Sequence, residues 1–210
     1  MATMLTMPEI RAVALRFACV TKSERELSWV YCHNSFLRAH RKKVYCKRQL
    51  SLHLMGYLAS FGMYCRRAPL FLYHHYLVHE DLIPILMHKK HAPLFDVRSP
   101  TDFTSNMQLM CDVYDEIQEY YKGKGFEPSI ILITKIMLGV YGCVPAIDSE
   151  VTRGMKKLMY PVGTSFSHVL QQIQALLAAN ISLDAFINSV LSTHSDYTYM
   201  RVLDDFLWHY

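Results

Sequence analysis

Glycine and proline are scarce in this chain, with 8 of each in 210 residues. A protein of many short strands needs turn residues between them, so the punctuation of a sandwich or barrel is missing. No run alternates polar and apolar residues over a convincing strand length. The six cysteines, at positions 19, 32, 46, 65, 111 and 143, include no CxxC pair, which excludes a zinc ribbon and a thioredoxin-type motif. They read as free thiols of a reducing, cytoplasmic protein. No stretch of about 18 uncharged apolar residues is present, so a membrane span is not expected. The opening residues lack the basic region and apolar run of a secretory signal. Neither sign of charge dominates: 22 Lys+Arg stand against 18 Asp+Glu, a net +4 with histidine neutral. That mild basic bias is compatible with a polyanionic partner and does not identify one.

What the chain does have is apolar content, 51% against 19% charged, enough for a sizeable core. The periodic stretches repeat at helical spacing and predict an all-α fold. Helices are expected over Pro8–Val20, from the Ser23/Glu26 capping box to His40 with Asn34 as a candidate break, over Leu50–Met63, and over Phe71–His88 with Pro84 as a kink or a break into two. Further helices are expected over Asn106–Tyr121 behind a Thr104 or Ser105 cap, Ile130–Val140, the segment after Asp148, Phe166–Asn180, Ser182–His194 opened by Ser182 or Asp184, and Tyr197–Tyr210. The glycines of Lys122-Gly123-Lys124-Gly125 suit a left-handed helix end. Residues 92–105, with two prolines and several turn formers, read as a loop. The expected organisation is one helical domain over 1–210, with lobes 1–91 and 106–210 joined by that loop.

The stretch Leu132–Met159 carries the most information. An apolar helix breaks at Gly139, Gly142 and Pro145, and a second helix starts after Asp148. Asp148 and Ser149 are natural N-cap residues, because a short side-chain oxygen accepts the first free N–H groups. A carboxylate there is also stabilised in its charged form by the helix dipole. Asp148 as a cap alone and Asp148 as a reactive carboxylate fit the residues equally well.

Pro145, Asp148, Val151, Arg153 and Met155 resemble the segment that carries the catalytic aspartate in the helix-hairpin-helix (HhH-GPD-like) DNA glycosylase superfamily. The glycine-rich hairpin of that family has no counterpart, since Lys122–Pro128 does not follow its pattern. Three blocks, Leu52–Tyr64, Lys135–Asp148 and Tyr199–Trp208, also resemble an uncharacterised bacterial protein family, which assigns them no chemistry. The glycosylase resemblance implies a two-lobed helical domain that excises a damaged or modified base, a modified base of phage DNA included. It implies Asp148 as the carboxylate that stabilises the cationic sugar and Lys135 as the candidate catalytic lysine, either the Schiff-base nucleophile that some members carry or a partner of Asp148 or of a phosphate. Lys122, Lys124, Arg153, Lys156 and Lys157 would hold double-stranded DNA with one nucleotide extruded. Tyr57, Tyr64 and Tyr141 would be candidates for the walls of a base pocket, although aromatic residues at helical spacing equally suit a core.

Other patterns stand beside these. Basic clusters at 41–48, 65–67, 88–91 and 122–124 would serve a non-enzymatic DNA-binding protein as well. The spacings Arg48–His53 and Arg67–His74 fit the loose signature of HEPN-type ribonucleases, a pattern that a chain with 11 histidines meets by chance. His75 and His79, four apart with Glu80 adjacent, lack the further ligands of a zinc site, so no metal is expected. The cysteine spacing implies no iron–sulfur cluster, and no cofactor is expected.

Overall fold

The computed structural model describes Leu5, Pro8, Ile10, Val13, residues 24–65, Leu70 and residues 75–210. The described residues are helical with no strand. In chain order α1 is Glu24–Lys42, α2 Lys47–Ser60, α3 Ile83–Leu86, α4 Pro100–Ser105, α5 Met107–Gly123 and α6 Ile130–Val140. They are followed by α7 Ser149–Lys157, α8 Phe166–Ala179, α9 Ile181–Thr193 and α10 Tyr199–His209. Short 3-10 segments cover Tyr76–His79 and Lys89–Asp96.

The organising element is α6. It begins where Ser129 accepts the Leu132 N–H, and every residue from Leu132 to Val140 is buried. A helix apolar on all faces needs neighbours on all faces, and α1, α2 and α5 pack around it. Side chains of α1 also reach the carbonyls of its last turn: Trp29 Nε1 donates to Leu138 O at 3.1 Å, which Gly142 N–H shares, and His33 Nδ1 donates to Val140 O at 3.2 Å. Gly142 ends the helix at φ 64°, a left-handed conformation, and Thr198 lies against its bare Cα. The short helix α7 then packs along α10, and α10 against α9.

Several expectations change. The predicted Phe71–His88 helix does not form over its described part, which divides into a 3-10 turn and the four-residue α3. His75 and His88 turn their Nδ1 atoms onto the N–H groups two residues on and restart the chain locally. The predicted loop 92–105 is largely helical: Ser99 caps α4 through the Asp102 N–H, and Pro100 occupies the first turn. Asn106, not Thr104 or Ser105, stands at the N-cap of α5, without a side-chain cap. Asn180 holds that position for α9 in place of Ser182 or Asp184. Asn34 does not break α1. The Pro8–Val20 helix and the Ser23 half of the capping box lie outside the described residues. No single described helix is long and apolar enough to cross a membrane.

Candidate active site

A cavity of about 120 Å³ lies where α10 meets α2, α6 and the start of α7. Tyr57, Phe61, Leu138 and Trp208 give it apolar and aromatic walls, and Lys135, Asp148 and the carboxylates of α1 and α10 give it charge. Lys135 and Asp148, thirteen positions apart in sequence, meet there. The Lys135 side chain is almost wholly buried, its Nζ donates to Phe61 O at 2.9 Å, and it stands 4.0 Å from Asp148 Oδ2.

Asp148 caps α7 and faces the cavity at once. Its Oδ1 accepts the Glu150 and Val151 N–H groups, each at 3.1 Å, while Oδ2 points to Lys135. The two functions use different oxygens, so the cap fixes the rotamer that presents the other oxygen. The loop before it is held from two sides. Ile147 N–H donates to Thr134 Oγ1 at 2.9 Å, and Ala146 N–H donates to Asp204 Oδ1 at 2.8 Å.

Beneath Asp148 lies a charge cluster that the sequence reading missed. The Arg201 side chain is 2% exposed and binds Glu26 from α1, Asp204 at 2.6 Å and Asp205 at 2.8 Å. Its Nε is buried without an acceptor. Burial works against the guanidinium charge, but Asp205, Asp204 and Glu26 more than offset it and raise the pKa above the usual arginine value. Burial pushes the Asp204 carboxyl up to about 6, although Arg201 and the Ala146 N–H oppose the rise, and it pushes Asp205 up as well. The available signal was the i+3, i+4 spacing of Arg201 with Asp204 and Asp205. Glu26, expected to close a capping box, instead pairs with Arg201, 175 positions away.

Of the aromatic candidates, Tyr57 lines this cavity and its phenol is held well above its ordinary pKa, chiefly by burial. Tyr64 and Tyr141 lie elsewhere. Tyr64 and Tyr121 sandwich His79, each hydroxyl 2.6 Å from a ring nitrogen, and Tyr141 donates to Leu86 O. The cations proposed to hold DNA are on the surface and partly engaged. Lys122 pairs with Glu119, Lys124 with Asp81 and Arg153 with Glu150. Lys157 reaches the main-chain oxygen of Tyr210, and Lys156 is exposed.

Arg48 approaches Glu80 at 3.6 Å, whereas His53 borders a different cavity beside Arg38, so this pair does not converge. Arg67 and His74 lie outside the described residues. His75 is exposed and His79 buried, and no group of three or more metal-ligating side chains occurs among the described residues. The chain matches no family model, no curated protein and no solved structure.

Proposed function

We propose that this protein is a DNA N-glycosylase and that Asp148 is its catalytic carboxylate. The observation that carries the reading is the convergence of Asp148 and Lys135 on one aromatic-walled cavity. An extruded nucleotide needs such a recess, with flat apolar walls for the base and a charge beside the sugar. The free volume, below the roughly 150 Å³ that holds a benzene-sized ligand, suits part of a base. A larger ring requires the rim residue Trp208, 38% exposed, to move.

In the reaction, the C1′–N bond breaks and its electron pair leaves with the base, which takes up a proton. Positive charge develops on the sugar, and the Asp148 carboxylate stabilises it. A water oxygen then bonds to C1′ and releases its proton, leaving an abasic site. Lys135, enclosed between the Phe61 carbonyl and Asp148, orients the carboxylate. That enclosure favours hydrolysis over a covalent lysine intermediate, because a nucleophilic amine must be free to reach C1′.

The test is wild type against Asp148→Asn on duplexes bearing damaged or modified bases, with alkali to reveal abasic sites. Asparagine caps about as well as aspartate, so the variant is expected to fold with a stability loss on the order of 1 kcal/mol and to cleave about a hundredfold more slowly. Equal cleavage by both proteins removes the assignment. Salt-sensitive DNA binding without abasic sites on any substrate points instead to a non-enzymatic binder.

A further inference from the structure

The hydrogen bond from the Ala146 N–H to Asp204 joins the buried Arg201 cluster to the loop that delivers Asp148. We propose that Asp204 is a positioning residue for Asp148: it holds the Ala146 amide, Arg201 holds Asp204, and together they set where the Asp148 carboxylate enters the cavity. This rests on the glycosylase reading for its consequence in catalysis, and on the hydrogen-bond geometry alone for the anchor itself.

Ala146 is 4% exposed, and Asp204 Oδ1 is the acceptor of its N–H, so removing Asp204 takes away the contact that holds this amide in place. The Ala146 carbonyl in turn accepts the Asp148 N–H at 2.8 Å, so displacement of residue 146 passes directly to residue 148. On the opposite side, Thr134 Oγ1 receives the Ile147 N–H and donates to Ile130 O, which anchors the loop to α6. Asp204 supplies the matching anchor from α10. Without it the loop is tethered from one side only, and the spacing of Asp148 from Lys135 is no longer fixed.

The charge arrangement makes the idea testable. Removing Asp204 leaves Arg201 with Glu26 and Asp205, so the guanidinium is not stranded. Asp204→Asn keeps an oxygen that can accept the Ala146 N–H but loses the charge and the acceptor for Arg201, whereas Asp204→Ala removes both acceptors.

The first measurement is amide hydrogen exchange at Ala146 in wild type and both variants. Exchange is expected to quicken about tenfold or more in Asp204→Ala, as loss of one buried hydrogen bond predicts, and to stay slow in Asp204→Asn. Equal exchange in the alanine variant and wild type overturns the anchor. The second measurement is single-turnover base excision together with DNA affinity. Asp204→Ala is expected to lose about a hundredfold in rate, the scale of an ångström-sized misplacement, with DNA affinity held within about twofold. Asp204→Asn is expected to recover most of the rate. Equal losses in both variants, in proportion to lost thermal stability, reduce Asp204 to a structural residue and overturn the proposal. Should wild type excise no base, the glycosylase reading and the catalytic consequence fall together, while exchange still decides whether Asp204 anchors the loop.

Discussion

Gly139 lies directly under the ring of Tyr57: a Cβ at 139 would stand 2.4 Å from Tyr57 Cε1 and 2.7 Å from Cδ1. This close approach sets the Tyr57 ring against α6 at the wall of the cavity. Gly139→Ala gains up to about 1 kcal/mol of helix propensity, but it forces the buried ring aside, and overpacking typically costs about 1–3 kcal/mol. The expected result in urea denaturation is a net loss of stability, with a larger proportional loss of base excision because the cavity wall moves.

Gly154→Ala is expected to be worse. A Cβ there would fall 2.2 Å from the Leu207 carbonyl oxygen, and a backbone atom within α10 has little freedom to yield. The expected cost is about 3 kcal/mol, the upper part of the overpacking range. Since α7 carries Asp148 and α10 carries Arg201 and Asp204, prying them apart should also open the site. A melting temperature equal to that of Gly139→Ala would contradict this ranking.

His33 should make the fold sensitive to mild acid. Burial, the leading cause, lowers its pKa to about 4 from an ordinary 6.5, with the Val140 hydrogen bond opposing and Arg41 assisting. The unfolded chain therefore binds this proton more readily than the folded one. The stabilising contribution is complete above pH 6.5 and is lost as pH falls toward 4. A shift of that size corresponds to roughly 3–3.5 kcal/mol at most. His33→Gln should flatten the difference in unfolding free energy between pH 7 and pH 4.5 relative to wild type. Parallel pH curves for the two proteins would show that His33 is not the responsible group.

Binding to duplex DNA should weaken steeply with salt, because each neutralised phosphate releases counterions. Lys156 and Lys157 close α7, whose N-terminus carries Asp148. Replacing both by alanine should reduce the magnitude of the slope of log K against log salt by about one for each phosphate that is no longer neutralised. No gel shift by wild type even at low salt would remove DNA as the partner.

The sequence by itself determined what depends on neighbours along the chain. The apolar run fixed α6 as Ile130–Val140, and the short polar side chain of Asp148 fixed the start of α7, because periodicity and capping act within a few residues. The same local rules placed the start of α5 within one residue but assigned its cap to Thr104 or Ser105, and they left out α4, which Ser99 caps. They also joined two short segments into the Phe71–His88 helix, since they gave no weight to imidazoles that cap by accepting main-chain N–H groups. In the candidate site, Asp148 is legible as a cap residue, the glycosylase resemblance singles out Lys135 and Tyr57, and the fold brings the three to one cavity. Spacing does not tell which way an aromatic ring points, and only the packing sent Tyr64 toward His79 and Tyr141 toward Leu86. Apart from the i, i+3 pair Arg201–Asp204 within α10, the Glu26–Arg201–Asp204–Ala146 network was decided by the tertiary structure alone. Its members come from α1, from α10 and from the loop before α7, and no local rule relates a carboxylate at 26 to a guanidinium at 201 until folding closes the distance and removes the water between them.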